Sequence, residues 1–194
     1  MDTFNDIIQK RRSVRKFQST LFSQELLDAV IEAGRLAPSG SNSQSCHFIV
    51  IQNPAVITEL ITIVKEEFAK MTYDETTYRS LKGSISAAQR GVYDFTYKAP
   101  VVVVVANRKN YGNAMADSSC AMQNMMLAAT ACGIGSCWLN QLHWLDENPR
   151  VRKFLIALGL DEQETVCASL GLGLPDDSPR PPLPRFGNRV TYIK

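Results

Sequence analysis

Three segments of this chain hold residue types whose spacing suits chemistry. The first is Arg11-Arg12-Ser13-Val14-Arg15, with three guanidiniums and a hydroxyl close together. Arginine grips phosphate oxygens with a planar fork and serine adds a short donor, so this run suits capture of a phosphate. On spacing alone, a solvated basic turn beside a helix C-terminus accounts for it at least as well. The second is the loop Pro38-Ser39-Gly40-Ser41-Asn42-Ser43-Gln44. Its amides offer donors and acceptors together, which fits the edge of a heteroaromatic ring, and Gly40 permits close backbone approach. An ordinary polar connector would have the same composition. The third is Gly133-Ile134-Gly135-Ser136-Cys137-Trp138-Leu139-Asn140. Its glycines follow a helix rather than a strand and lack the GxGxxG spacing, so a dinucleotide fingerprint is rejected and helix capping is their simplest role.

The elements that must position these segments can be read in outline. Residues 3–10 form a short helix with Phe4, Ile7 and Ile8 on one face. Residues 11–22 are polar and irregular. Ser23 starts a helix carrying Leu27, Val30, Ile31 and Gly34, which stops before Pro38. His47 to Ile51 is a strand, and a helix covers 55–70. Residues 71–98 are polar and weakly periodic; they have no firm assignment and suit a mobile helical excursion. Val101 to Val105 is an unbroken valine run, expected as a central strand buried on both faces. Residues 113–132 form a long buried helix ended by Gly133. A short strand spans Ser136 to Asn140, a helix capped by Asn148-Pro149 runs to Gly159, and Thr165 to Leu172 is a further strand. Five of the nine prolines fall between Pro175 and Pro184, which forces an extended arm. Alternating helices and strands around a buried strand imply a layered α/β sandwich.

Composition narrows the function classes. The chain has 194 residues, 45% apolar and 21% charged, which suits one soluble domain. A net charge of +2 is too balanced to indicate nucleic acid or a membrane surface as partner. The longest apolar run, Ala99 to Ala106, is strand-sized, and Asn5, Asp6 and Lys10 interrupt any leader-like stretch, so a cytoplasmic protein is expected. The 5 cysteines form no CxxC pair and only His47 and His143 offer imidazoles, so no metal is expected. Cys46 reads as a small buried hydrophobe rather than a reactive thiol. Asp117 reads as a carboxylate favouring its helix dipole.

The order RRSVRKF, APSGSNSQ, a long Ala-rich helix, GIGSCW and a Pro/Arg tail resembles the nitroreductase family over essentially the whole chain. The resemblance implies an α/β (α+β) three-layer sandwich with a central mixed sheet flanked by helices. It further implies a single FMN-binding domain over residues 1–194, with residues 174–194 as an extended arm exchanged in a homodimer. Arg11, Arg12, Ser13 and Arg15 would meet the phosphate, ribityl chain and pyrimidine edge of FMN. Pro38, Ser39 and Gly40 would contact the flavin from the partner subunit, with Asn42 and Gln44 as further candidates. Trp138, Leu139 and Asn140 would lie against the ring, and Arg185, or alternatively Arg180, would hold the phosphate. Ser45 and Cys46 stand where Pro and Trp usually follow the Gln, which reshapes the pocket beside the ring.

The activity implied is hydride transfer from NADH or NADPH through FMN to a nitroaromatic, quinone or similar small electrophile, in ping-pong order. No catalytic side chain is expected, since the flavin carries the chemistry. Alternatives are a relative that dehalogenates, reduces an activated alkene or fragments flavin, a non-catalytic FMN-binding protein, or a plain phosphate-binding module.

Overall fold

The structure, a computed structural model, describes residues 3–177, 181 and 184–194. Its centre is β2 (Val101–Arg108), where Val101 is 1% exposed and Val102 to Ala106 are fully covered. β-branched side chains buried on both faces require helices on both faces, and the molecule supplies them. β1 (His47–Ile51), β3 (Gly135–Leu139) and β4 (Glu164–Gly173) complete a sheet in the order β1-β2-β4-β3.

Strand alternation divides the core. Val102, Val104, Ala106, Cys137, Leu139 and Val166 face α3 (Pro54–Ala69), α4 (Arg79–Gln89) and α7 (Pro149–Ala157), where they meet Leu60, Phe68, Ile85 and Leu155. Val101, Val103, Val105, Leu170 and Leu172 face α2 (Gln24–Arg35) and α5 (Ala114–Ala131), where they meet Leu27, Val30, Met122 and Met125. A register shift between Val105 and Ala106 leaves Cys167 as the extra residue of β4. Gly34 lets α2 approach α5 closely, since a Cβ there would sit 2.8 Å from Met125 Cγ. Gly133, at φ +72°, closes α5 with Ile134 N–H donating to the Ala129 carbonyl at 2.8 Å.

The three layers agree with expectation; the sheet is not mixed. Each of the three strand pairings is antiparallel, and Ser13 with Ser136 forms a lone parallel bridge outside the strands. The physical reason is an insertion. β2 and β3 do run the same way, joined by the crossover helix α5, as the helix–strand alternation suggested. The later strand β4 lies between them and opposes both.

Residues 71–98 also differ from expectation. They hold the ordered helix α4, and both Ile85 and Phe95 are fully covered in the core. The short helix α6 (Gln141–Trp144) follows β3 directly, and Trp144 packs edge-on against Phe68. At the other extreme, α1 (Phe4–Lys10) buries none of its residues, leaving Phe4 67% exposed. Of the Pro-rich arm, Phe186, Val190, Tyr192 and Ile193 lie in solvent. The arm carries more unburied apolar surface than its prolines suggested.

Candidate functional site

Residues 11–17 run extended along the outer edge of β3. Val14 N–H donates to the Ser136 carbonyl at 2.9 Å, and Phe17 bridges Pro175. Extended backbone sends alternate side chains to opposite sides. Arg12 and Val14 line a cavity of about 530 Å³ with Thr130, Gly133 and Ile134, and neither Arg11, Ser13 nor Arg15 borders it. Arg12 also donates to the carbonyls of Gln9 and Arg11. Ser13 and Arg15 are exposed, with Arg15 stacked 5.6 Å from the Tyr97 ring centre. The run thus splits into a row of Arg11, Ser13 and Arg15, with Arg12 turned away.

Arg11 is a half-buried guanidinium with other cations around it. Burial lowers its pKa, and the positive charges of Arg12 and Arg185 push the same way. Like charges gathered around a half-buried guanidinium are costly until an anion joins them. The root of the tail is tied to this edge: Gln18 N–H donates to the Leu174 carbonyl and Asp176 N–H to the Lys16 carbonyl. The charge of Arg185 acts on Arg11, whereas Arg180 lies outside the described residues.

The end of β3 sits beside the same row. Arg15 is close enough to favour the Cys137 thiolate, although burial dominates and raises that thiol's pKa. Leu139 is buried, and its carbonyl accepts from Ser169 Oγ at 3.1 Å. Trp138 Nε1 donates to Asn140 Oδ1 at 2.6 Å, which fixes both side chains at this corner.

The loop at 38–44 is built differently. Ser41, Asn42 and Gln44 all have positive φ, a conformation that costs about 1–2 kcal/mol for a residue with a side chain. What holds them is an anchor that the sequence reading missed. The carboxylate of Asp117, 6% exposed, accepts from Gly40 N–H at 3.0 and 3.2 Å and from the Tyr111 hydroxyl at 3.0 Å. Tyr111 is also 3.2 Å from the Gly40 carbonyl, and Gln44 N–H donates to Ser39 Oγ. A Cβ on Gly40 would fall 2.7 Å from the Tyr111 hydroxyl, so the clamp requires glycine. Pro38, Asn42 and Gln44 remain exposed. The signal available in the sequence was Tyr111-Gly112-Asn113 ahead of α5, with Asp117 one turn later.

The two halves belong to different strands of the sheet. The loop leads into β1 at one sheet edge, and the arginine row lies beyond β3 at the other. Four strand spacings of ~4.8 Å put about 19 Å between β1 and the arginine run. Along α5, Asp117 beside the loop and Thr130 beside the Arg12 cavity are about 20 Å apart at ~1.5 Å per residue.

Cys46 behaves as packing. Burial raises its pKa, and the contact with Ser118 Oγ at 3.7 Å only partly opposes this. Asn107 Nδ2 also contacts its sulfur. Cys46→Ala should lower thermal stability by about 1 kcal/mol and leave turnover unchanged in a steady-state assay.

This fold and layout have relatives. The chain matches the Nitroreductase family over residues 8–174 and belongs to that family of oxidoreductases. It is similar to a crystallised nitroreductase with bound FMN from Bacteroides fragilis, with a TM-score of 0.88 and 32% identity over 100% of both chains. A protein of Archaeoglobus fulgidus named as an NADH dehydrogenase/NAD(P)H nitroreductase is 30% identical, covering 88% of this chain and 84% of its own length. Human iodotyrosine deiodinase 1 is 24% identical over 89% of this chain and 61% of that protein. Among the described residues, no helix is long and apolar enough to cross a membrane.

Proposed function

We propose that this protein is a homodimeric, cytoplasmic FMN enzyme that passes hydride from NADH or NADPH to a small electrophile such as a nitroaromatic or quinone. The observation that carries the reading is the row Arg11, Ser13, Arg15 extended along the edge of β3, with the charge of Arg185 acting on Arg11. A phosphate relieves the crowding of Arg11 and Arg185, and Ser13 supplies a hydroxyl beside it. Arg15 stands farther along the row, where a guanidinium stabilises negative charge on the pyrimidine edge of a flavin. Trp138 to Asn140 present a rigid wall for the ring. Bound FMN supplies hydride acceptance and donation; the chain binds, orients and shields. The whole chain would be one FMN-binding domain whose arm root, residues 174–177, stays tied to its own residues 16–18, so that an exchange would involve only the exposed apolar residues after Arg185.

The separation of the loop from the arginine row supports the dimer. In the dimer, Pro38, Ser39 and Gly40 of a second copy would meet a flavin beside Arg15, and a two-fold axis serves both sites alike.

The purified protein is expected to be yellow, to release FMN on acid treatment, and to be bleached anaerobically by NADH or NADPH. With one open ring face serving both reactants, double-reciprocal plots at several fixed quinone concentrations should be parallel. Colourless protein that takes up no added FMN refutes the reading. Flavin that binds but is not reduced by either nucleotide favours a binding protein. The deiodinase relative motivates a second reading, reductive dehalogenation, scored by halide release from a halogenated phenol under reducing conditions.

A further inference from the structure

We infer that Asp117 is the positioning residue of the flavin-facing loop and that it acts on the cofactor held by the other subunit; this rests on the FMN reading above. The carboxylate is buried on the first turn of α5, yet no cation pairs with it among the described ion pairs. Its partners are hydrogen-bond donors that all belong to one task. Gly40 N–H, the Tyr111 hydroxyl and the Ser43 hydroxyl, at 3.0, 3.0 and 3.4 Å, converge on its two oxygens. Burying a carboxylate is costly unless such donors surround it. Here they come chiefly from the loop itself and from the tyrosine whose hydroxyl oxygen lies 3.2 Å from the Gly40 carbonyl. The anchor therefore fixes the Ser39–Gly40 backbone and holds its left-handed neighbours in place.

The second half of the inference follows from the FMN reading, in which Pro38 to Gly40 of one copy meet the cofactor held by the other. A loop set by Asp117 then bears on the ring in the second copy.

The test is a mixed dimer. Asp117→Ala and Arg11→Ala chains are given different affinity tags, co-expressed, and the dimer carrying both tags is isolated. If Asp117 acts across the interface, one site of this dimer joins an intact arginine row to an intact loop, and the other site carries both lesions. FMN titration should then find one tight site per mixed dimer, whereas each mutant homodimer should bind at least roughly tenfold more weakly than the parent. At saturating FMN, Asp117→Ala homodimers should show altered visible circular dichroism of the flavin, and Asp117→Asn should restore most of the parent signal, since its amide oxygen still accepts from Gly40. If Asp117→Ala does not fold, Tyr111→Phe replaces it in the same pairing. A mixed dimer with no tight site overturns the inference, as does an Asp117→Ala homodimer with parental affinity and spectrum. Failure of the parent protein itself to bind FMN overturns the functional reading as well, and is seen separately.

Discussion

Deleting residues 178–194 should yield monomeric or aggregated protein that binds FMN weakly or not at all. The deletion spares Leu174 to Asp177, whose ties to residues 16–18 close the edge of the fold. It removes Arg185, whose charge acts on Arg11, and it removes Phe186, Val190, Tyr192 and Ile193. Those four side chains are between 70% and 95% exposed in the single chain. Each would contribute about 1.5–3 kcal/mol if buried against a partner, enough together to decide a dimer equilibrium. Light scattering coupled to size exclusion reads the mass, and flavin absorbance reads the cofactor. A truncated protein that remains a yellow dimer would show that the arm neither joins the subunits nor holds the phosphate.

Arg11→Ala and Arg12→Ala should differ sharply although the residues are neighbours. Arg11 belongs to the row with Ser13 and Arg15, and it is the guanidinium crowded by Arg185. Losing one charge-assisted phosphate contact costs about 1.5–3 kcal/mol, or roughly ten- to a hundredfold in FMN affinity. Arg185→Ala should cost a similar amount. Arg12 faces the cavity beside Thr130 and Ile134 and donates to main-chain carbonyls, so its loss should cost much less. Titration of apoprotein with FMN, followed by quenching of flavin fluorescence, gives all three constants. Equal losses for Arg11→Ala and Arg12→Ala would mean that the run binds as a diffuse basic patch rather than as one side of an extended segment.

That contrast shows where sequence reading stops. Residue types in the run 11–15 indicated a phosphate, but the division of labour within it depends on pairing with Ser136, a partner far along the chain. The valine run was legible as a central strand because burial on both faces leaves an unmistakable composition. The sheet's direction was not, because alternation of helices and strands reports which strands run alike and says nothing of what is later inserted between them. Residues 71–98 hid α4 for a related reason. Its buried face uses Ser84, Ile85 and Ala88, and only one of these is a large apolar residue. Asp117 was visible as a helix-dipole carboxylate, but its role as a loop anchor exists only once α5 and residues 38–44 meet in space. The division of the site between two copies was implied by family resemblance alone.

The position of β4 has a consequence for how the molecule is made. Its neighbours β2 and β3 emerge earlier during synthesis but have no common edge until residues 164–173 slide between them. Most of the sheet's hydrogen bonding is thus non-local and waits on the final strand. Such topologies raise contact order and slow folding, and they leave apolar strands bare in the meantime. The nascent valine-rich β2 then depends on β1 and its covering helices for protection. A cell that overproduces this protein faster than β4 can dock should find it in inclusion bodies, and slowing synthesis should recover it before any ligand is added.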